Sequence, residues 1–183
     1  MRYNRRVWEI QARFCPLCGG ELRQVAVEGH PRPKCSKCGF ILYANPASAS
    51  CAVVVDGRQV CLVKRKIEPY RGHWTLPAGY QEYFETSEEA AIRETREECG
   101  LEVELLSLLH VLYTTDDARK RANLTVYLAR PIGGTLHPGD DAEAAQFFPV
   151  DSLPDLIGFE NNRRVLDELR RRGAGRPSLD EIR

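Results

Sequence analysis

Residues 79–101 read GYQEYFETSEEAAIRETREECGL, and seven of them are glutamates. Carboxylates at this density repel one another unless water or a cation balances their charge. Thr86 and Glu89 have the spacing of a capping box, and Gly100 suits the left-handed residue that ends many helices. The segment therefore predicts a strand and a loop, followed by a helix from about Ser87 to Cys99.

The predicted helix has two chemically different faces. One is a small apolar stripe at helical spacing, formed by Ala91, Ile92, Thr95 and Cys99. Another is an acidic face, formed by Glu94, Glu97 and Glu98. A hard divalent cation prefers oxygen ligands and would turn the repulsion among three close carboxylates into a binding site. A solvated acidic helix face is the alternative that the charge pattern leaves open.

The order of residues across the whole segment favours the metal site. The glycine and charged positions run in this order: Gly79, five residues, Glu85, seven residues, Arg93-Glu94, two residues, Glu97-Glu98, one residue, Gly100. This order resembles the Nudix box of the Nudix hydrolase superfamily at every one of those positions. Thr95 departs from the pattern, because the family usually has an aliphatic residue there. We expect a small packing difference at Thr95 and no loss of chemistry.

The resemblance implies an α/β fold, the Nudix α/β/α sandwich with a mixed sheet between helices. It implies hydrolysis of a nucleoside diphosphate linked to another group, with Mg²⁺ or Mn²⁺ neutralising the pyrophosphate. The metal ligands that it implies are Glu94, Glu97, Glu98 and the backbone carbonyl of Gly79. By the same resemblance, Arg93 orients the carboxylates through ion pairs, and Glu85 holds the loop.

A carboxylate must also activate the attacking water. A box glutamate does this in some members of the family, and a residue of a later loop does it in others. The loop candidates in this chain are Asp140, Asp141 and Glu143. We include Glu143 among the expected catalytic residues.

Two Cys-x-x-Cys pairs, Cys15 to Cys18 and Cys35 to Cys38, are separated by sixteen residues. This spacing is strong evidence for a four-thiolate zinc site, with two disulfides or a redox motif as alternatives. Disulfides are rare in cytosolic proteins, and no strand–helix–strand pattern follows either pair. Gly19 and Gly39 ease the backbone after the second ligand of each pair. Residues 13–43 therefore resemble a zinc ribbon stabilised by structural Zn²⁺.

At 183 residues, the chain has room for one ordinary domain and a small appendage. We expect an N-terminal arm at 1–12, the ribbon at 13–43, a Nudix hydrolase domain at 47–172 and a flexible tail at 173–183. Residues 1–43 carry eight Lys and Arg against three Asp and Glu. This excess leaves nucleic-acid binding open but favours a structural or dimer-forming role for the ribbon.

Membrane insertion is not expected, because no apolar run reaches the ~20 residues that cross a bilayer. The first residues also lack a secretory signal. We therefore expect a cytoplasmic protein that does not contact membranes, and the dimer-forming role favoured for the ribbon makes a homodimer the expected assembly.

The rest of the chain reads mainly as strands. ELRQVAV suits a strand and Gly29-His30-Pro31 a turn, and SASCAVVVD and RQVCLVKRK flank the hairpin signal Asp56-Gly57. Cys51 and Cys61 read as buried hydrophobes and, with Cys99, as free thiols. Further strands are predicted in LEVELLSLLHVLYTT, NLTVYLARPI and AQFFPV, a loop in GGTLHPGDDAEA, and a second helix in ENNRRVLDELRRR.

The substrate class rests on finer resemblances. A zinc ribbon before a Nudix domain resembles NADH pyrophosphatases, including those that act on NAD-capped RNA, but residues 101–130 lack the SQPWPFPxS-like run of that group. The chain also resembles a group with an Asn-Pro linker, here Asn45-Pro46, and with matching runs at Trp74 to Gly79 and Phe159 to Arg164. That group acts on ADP-ribose- or FAD-like dinucleotides, which we take as the expected substrates. A non-catalytic ADP-ribose-sensing module is disfavoured, because every catalytic carboxylate is present.

The expected contacts to the substrate come from basic and aromatic side chains near the box. Arginines can clamp phosphates, and aromatic rings can stack on an adenine. The residues concerned are Arg65, Arg71, Trp74, Tyr113 and Phe159. Surface charge and core packing remain the alternatives for these positions.

Overall fold

The computed structural model describes residues 11–116, 120–139 and 141–173, together with Leu179. Most of the expected N-terminal arm, Asp140 and most of the expected C-terminal tail lie outside the described residues. The chain divides into two compact units. The first comprises Met1–Ala47 with Asp117–Arg121, and the second comprises Ser48–Asp116 with Ala122–Arg183.

The first unit contains a hairpin of two antiparallel strands, β1 (Leu22–Val27) and β2 (His30–Cys35). Glu28 and Gly29 connect them with φ angles of 51° and 78°, as a tight two-residue hairpin turn requires. The prediction of a turn at Gly29-His30-Pro31 is therefore wrong by one residue, because His30 already pairs with β1. A small cluster packs inside this unit: Cys15, Leu22 and Cys35, with Ala12, Cys18, Phe40 and Leu42 against them.

The second unit begins with the predicted hairpin of β3 (Ala47–Asp56) and β4 (Gln59–Arg65). Asp56 pairs with Gln59, so the turn lies at Gly57 and Arg58, one residue later than the signal placed it. The remaining strands are β5 (Trp74–Thr75), β6 (Ala78–Tyr80), β7 (Leu101–Thr114), β8 (Ala122–Gly134) and β9 (Ala142–Pro149).

Across the part of the chain that the structure describes, these strands form one seven-stranded sheet. Its order is β5-β4-β3-β8-β7, with β6 paired to β3 and β9 paired to β4. The expected α/β fold class with a mixed sheet is confirmed. β9 begins at Ala142, so Glu143 lies in a strand and not in the loop where the sequence placed it.

The core lies on both sides of β3. Ala52 and Val54 belong to a buried cluster with Cys61 and Val63 of β4 and with Ala91 of the following helix. The alternate residues of β3, Val53 and Val55, are just as fully buried. Since successive side chains of a strand point to opposite faces, both faces of this sheet are covered, as in an α/β sandwich.

Helix α1 (Ser87–Cys99) has the predicted bounds and caps. Thr86 and Glu89 form the capping box, and Gly100 ends the helix with a φ of 73°. Its buried residues are small: Ala90, Ala91, Thr95 and Cys99.

The prediction that Ile92 packs on the sheet is wrong, because its side chain is 38% exposed. At ~100° per residue, the buried face is centred between Ala91 and Thr95 and extends towards Glu94 and Glu98. The helix is thus rotated so that two of its carboxylates approach the sheet, and Ile92 lies at the rim.

Helix α2 (Glu160–Arg172) also matches its prediction and buries the expected side of Val165, Leu166 and Leu169. In the expected tail, Leu179 is buried, and its N–H donates to the carbonyl of Gly57 at 2.9 Å. No helix among the described residues has the length and apolar character needed to cross a membrane.

Candidate active site

Helix α1 and strand β6 bring two of the predicted metal ligands together. One oxygen of the Glu98 carboxylate accepts a hydrogen bond from the backbone N–H of Ala78 at 3.0 Å. The Glu94 carboxylate occupies the space that a Cβ on Gly79 would need, so a larger residue there would collide with it. Glu98 is therefore held against Ala78, and Glu94 lies against Gly79, the next residue of β6.

The guanidinium of Arg93 binds three carboxylates of the box, including that of Glu94. Its Nε and Nη2 donate to the two oxygens of Glu85 at 3.0 and 2.6 Å. Its Nη1 donates to Glu94 at 2.7 Å and to Glu97 at 2.9 Å, and Nη2 also donates to the carbonyl of Tyr80 at 3.1 Å. Because a guanidinium has five N–H donors, this set of bonds uses all of them.

The loop between β6 and α1 is closed around Glu85. The backbone N–H of Glu82 donates to the Glu85 carboxylate at 2.7 Å, and the Gln81 side chain donates to the Glu85 carbonyl at 2.6 Å. Hydrogen bonds from Arg93, and then from the Glu82 N–H, lower the pKa of Glu85. The Glu85 carboxylate is thus ionised and bonded to Arg93 within this loop.

Burial raises the pKa of the two carboxylates nearest the sheet. Desolvation raises the pKa of Glu98 to about 8, although the Ala78 N–H and the nearby charge of Arg65 lower it. Desolvation also raises the pKa of Glu94, against the opposing hydrogen bond from Arg93. A desolvated carboxylate is costly to ionise without a balancing charge, and a bound cation supplies one.

The donor set suits a hard divalent cation. Mg²⁺ and Mn²⁺ prefer oxygen ligands, and the cluster offers carboxylates on one helix face and the backbone of Gly79 opposite them. Glu97 lies at the rim, with 54% of its side chain exposed. Ser50, directly opposite Gly79 in the sheet, is fully buried and also faces this region. The residues that are present therefore fit the cation as ligands.

The segment after β8 is fastened to the C-terminal end of α1 by its backbone. Three of its N–H groups donate to carbonyls at that end: Thr135 to Gly100 at 3.2 Å, His137 to Cys99 at 3.1 Å, and Gly139 to Glu98 at 3.0 Å. A Cβ on Gly139 would collide with the Glu97 carbonyl, so the close approach requires glycine. The loop candidates for water activation therefore start beside Glu97 and Glu98.

The two described loop candidates lie in different surroundings. The carbonyl of Asp141 accepts from the N–H of Lys66 at 2.9 Å, which places Asp141 between the end of β4 and α1. Glu143 forms an ion pair with Lys64 at 2.5 Å. Lys64 neighbours Val63, which packs on the α1 side of the sheet, so Lys64 points to the other side. Asp140 lies outside the described residues.

Arg65 and Phe159 come together next to the carboxylates. The Arg65 guanidinium lies 5.3 Å from the centre of the Phe159 ring, and its charge acts on Glu98. Tyr70 packs edge-on against Phe159 with ring centres 4.7 Å apart. Asp116 accepts from the Tyr70 hydroxyl at 3.3 Å and from the N–H of Glu160 at 2.8 Å, which ties this aromatic pair to the start of α2.

The other three predicted substrate contacts lie apart from this pair. Trp74 packs edge-on against Phe148 at 4.7 Å and pairs with Lys64, so it lies on the face of the sheet away from α1. Arg71 is exposed in the loop before β5. Tyr113 is 55% exposed near the end of β7. The structure thus brings Arg65 and Phe159 to the box and does not bring Trp74 there.

The four predicted zinc ligands form a tight cluster in the first unit. The sulfur atoms of Cys15, Cys18, Cys35 and Cys38 all lie within 4.8 Å of one another. Two of the separations are 3.7 Å, from Cys15 to Cys38, and 3.5 Å, from Cys18 to Cys35. Tetrahedral zinc with Zn–S bonds of about 2.3 Å requires sulfur separations of about 3.8 Å. The geometry therefore fits a four-thiolate zinc ribbon.

Sequence reasoning missed several residues at these two sites. A Cβ on Gly20 would lie 2.9 Å from the Cys35 sulfur, so this glycine makes room for the thiolate cluster. Tyr70 and Asp116 come from loops without a recognisable motif and meet only in the fold. Ser50 did carry a signal, because it is a polar residue between the apolar residues Ala49 and Cys51 of a largely buried strand.

The comparisons with known proteins agree with this geometry. A family model described as NUDIX domain matches residues 44–169, and one described as Nudix N-terminal, of zinc-ribbon type, matches residues 13–44. A crystal structure of a NUDIX hydrolase from Nitrosomonas europaea is 32% identical, with a TM-score of 0.77, and the match covers 91% of this chain and 96% of that one.

Two curated relatives have named activities. An ADP-ribose pyrophosphatase of Methanocaldococcus jannaschii is 39% identical over 132 residues, which are 72% of this chain and 78% of that protein. An NAD-capped RNA hydrolase, NudC, of Pseudomonas aeruginosa is 30% identical over 94% of this chain, but the match spans 62% of the relative's length. The chain therefore belongs to the Nudix hydrolase family and carries the zinc ribbon of that family before its hydrolase domain.

Proposed function

We propose that this enzyme hydrolyses the pyrophosphate bond of ADP-ribose or of a related, FAD-like dinucleotide. The observation that carries the proposal is the gathering of Glu94, Glu97 and Glu98 around Arg93 and strand β6. A cluster of carboxylates repels a pyrophosphate, so it serves this reaction only as a cation site. The similarity to the ADP-ribose pyrophosphatase of Methanocaldococcus jannaschii supports the choice of substrate.

Bound Mg²⁺ or Mn²⁺ would neutralise the pyrophosphate and draw electron density from the attacked phosphorus. Glu94, Glu97 and Glu98 would hold the cation, with the carbonyl of Gly79. Arg93 would fix the directions of Glu94 and Glu97, and Glu85 would hold Arg93 in turn. These roles follow the family resemblance, and the hydrogen bonds around Arg93 support them.

The water that attacks phosphorus must lose a proton to a carboxylate. Glu143 was the expected loop residue, but its ion pair with Lys64 engages its carboxylate. Asp141 is exposed and lies where the loop crosses from α1 to the end of β4, and this position supports it as the alternative. The products of ADP-ribose hydrolysis would be AMP and ribose 5-phosphate.

Arg65 and Phe159 support a place for the rest of the substrate. A guanidinium beside the metal ligands can bind a phosphate oxygen, and the neighbouring aromatic ring offers a surface for a base or a sugar. Tyr70 holds the Phe159 ring edge-on. Substrate contacts by Arg71, Trp74 and Tyr113 remain expectations from the sequence.

A second candidate substrate is NADH or NAD-capped RNA. The similarity to the NAD-capped RNA hydrolases favours it, because it extends over 94% of this chain and so includes the zinc ribbon. The absence of a SQPWPFPxS-like run from residues 101–130 argues against it. A non-catalytic ADP-ribose sensor is less supported still, since the complete carboxylate set is retained.

Steady-state kinetics on a substrate panel test this proposal. The panel contains ADP-ribose, FAD, NADH, diadenosine polyphosphates and 8-oxo-dGTP, each with and without Mg²⁺ or Mn²⁺. We expect metal-dependent cleavage, with kcat/KM for ADP-ribose or FAD above that for NADH. NADH as the best substrate would overturn the choice of substrate and leave the family assignment standing. Binding of ADP-ribose without turnover of any substrate would indicate the sensor.

The ribbon is proposed to hold one structural Zn²⁺ at its four cysteines, and the enzyme is proposed to be a cytoplasmic homodimer. The close sulfur cluster supports zinc, and cysteines that are free of disulfides support a compartment that keeps thiols reduced. Sedimentation at several protein concentrations would test the dimer, and a monomer throughout would contradict it.

A further inference from the structure

Ser50 is a buried hydroxyl with no role in the mechanism so far. The residue lies in β3 and is 0% exposed. Its Oγ has no hydrogen-bond partner among the residues that the structure describes. A buried donor without a partner is unfavourable, so it calls for a physical explanation.

The register of the sheet places this hydroxyl beside Glu94. Ser50 of β3 pairs directly with Gly79 of β6, and the two strands are antiparallel. Directly opposite residues point to the same face, with Cβ positions about 4.5–5.5 Å apart. The Cβ position of Gly79 is where the Glu94 carboxylate lies. The Ser50 hydroxyl therefore lies on the same face as that carboxylate without a hydrogen bond to it, and a small side-chain movement or one water molecule would join the two groups.

Arg93 leaves a bonding site on Glu94 open. Its Nη1 donates to Oε1 of Glu94 at 2.7 Å, and this single hydrogen bond fixes one oxygen without defining the plane of the carboxylate group. A second donor on the opposite side would fix the plane of the group. Ser50 belongs to the sheet and Arg93 to the helix, so hydrogen bonds from the two residues would fix the Glu94 carboxylate relative to both.

We propose that Ser50 is a positioning residue of the metal site. Its hydroxyl donates to the Glu94 carboxylate, directly or through a water molecule, when the divalent cation is bound. This inference rests on the proposed function, since it assumes that Glu94 is a metal ligand. It assigns to Ser50 no contact with the substrate.

Ser107 provides a matched control. Its hydroxyl is also buried and without a partner among the described residues. It lies in β7, which is separated from β3 by β8 in the sheet. Replacing either serine with alanine removes the same group from a strand, but only Ser50→Ala removes it beside the carboxylates.

The test is a Mn²⁺ titration of the full chain without substrate, followed by electron paramagnetic resonance, on the parent, Ser50→Ala and Ser107→Ala. We expect Ser50→Ala to weaken Mn²⁺ binding about tenfold, as the loss of one hydrogen bond to a charged group predicts. Ser107→Ala should bind Mn²⁺ like the parent. At saturating Mn²⁺, kcat of Ser50→Ala should recover to within about threefold of the parent, because the substitution changes only how firmly the Glu94 carboxylate is positioned.

Thermal melts in chelator provide a second readout. Ser50→Ala should melt at the parent temperature or above it, because the metal-free protein loses only an unpartnered hydroxyl. A clear fall in melting temperature would mean that Ser50 supports the fold itself and would overturn the proposal. Mn²⁺ affinity within about twofold of the parent, or equal weakening by Ser107→Ala, would overturn it as well.

Failure of the proposed function gives a different result. If the parent binds Mn²⁺ but cleaves no substrate of the panel, the enzymatic proposal fails, and the role of Ser50 is still decided by the titration. If the parent cleaves its substrate and Ser50→Ala binds Mn²⁺ normally, only the role of Ser50 fails.

Discussion

Arg93 is the residue through which the carboxylates of the box are connected. Its guanidinium contacts Glu85, Glu94, Glu97 and the carbonyl of Tyr80. Such a planar fork aims several carboxylates at once, whereas a lysine ammonium has three donors and no fixed plane. The arginine therefore sets geometry as well as charge.

Arg93→Lys tests this distinction, since it keeps the charge and removes the fork. We expect kcat to fall about 10²-fold, because two metal-ligating carboxylates lose their orientation. The free energy of unfolding should fall by about 1–3 kcal/mol, because the Glu85 pair is only partly exposed. Steady-state kinetics and denaturant unfolding measure the two effects. The control is Arg96→Lys, at an exposed position of α1 three residues after Arg93. Near-equal activity of the two variants would contradict the role of Arg93.

Glu98 is a carboxylate of the site whose pKa burial raises to about 8. Glu98→Gln keeps its shape and removes one negative charge from the cation site. We expect kcat to fall by on the order of 10²–10⁴, or about 3–5 kcal/mol of barrier, at saturating Mg²⁺. In chelator, stability should be unchanged or slightly higher, because glutamine avoids the free-energy cost of desolvating or protonating a buried carboxylate on folding. Turnover within about threefold of the parent would exclude this face as the catalytic metal site.

At the scale of elements, the active site depends on how closely α1 approaches the sheet. The residues that α1 buries are two alanines, a threonine and a cysteine, all of them small. Small side chains allow the helix to lie near the strands, and Glu94 and Glu98 then reach β6. Thr95, the one departure from the family pattern, is fully buried, and its hydroxyl donates to the carbonyl of Ala91 at 2.7 Å. The threonine is thus accommodated in the core, with its hydroxyl bonded inside the helix.

Gly79→Ala probes this approach. Gly79 has no positive φ, so alanine suits its backbone, and the three atoms nearest to the new methyl group all belong to the Glu94 carboxylate. We expect loss of at least about 10²-fold in kcat and weaker Mn²⁺ binding, because Glu94 must move. The control is Gly133→Ala in β8, where the methyl group would meet the end of the Glu102 side chain. Comparable activity of the two variants would show that the contact with Glu94 is not needed.

At the scale of the whole molecule, the two units depend on different sources of stability. The second unit has a sheet buried on both faces. The first has a cluster of a few side chains around four cysteines. Hydrogen bonds from the N–H of Cys38, and also from that of Lys37, lower the pKa of Cys35 to about 6 against the effect of burial. This thiol is thus readily a thiolate, the form that binds metal.

We therefore expect one tightly held zinc per chain. Cys35→Ser should lose the metal and destabilise the ribbon, because metal binding supplies much of the folding free energy of such a small unit. Cys61→Ala, at a buried cysteine of the other unit, should keep the metal. Elemental analysis of protein purified without chelator measures both. Absence of zinc from the parent, or a disulfide between Cys15 and Cys38, would contradict the prediction.

The sequence predicted best what depends on neighbours along the chain. The bounds of α1, its capping box and its final glycine follow from residues within one turn, and all were confirmed. The two predicted hairpin turns were each wrong by one residue. The turn residues indicate roughly where the chain bends, but the pairing of the two strands decides the exact position. Ile92 was placed wrongly, because the rotation of α1 is set by β6 and not by the helix's own pattern. Ser50 and Tyr70 were missed for a similar reason, since their partners are distant in sequence.

The backbone tether between the loop after β8 and the end of α1 has a consequence for how this enzyme could evolve. Thr135, His137 and Gly139 hold the loop through N–H groups, which every residue except proline possesses. Only the glycine is demanded by shape. The side chains that follow, such as that of Asp141, can therefore be replaced without loss of the hydrogen bonds that hold the loop. The backbone hydrogen bonds thus fix where this loop leaves the end of α1, and natural variation can place different acids or bases at the positions that follow without changing that point.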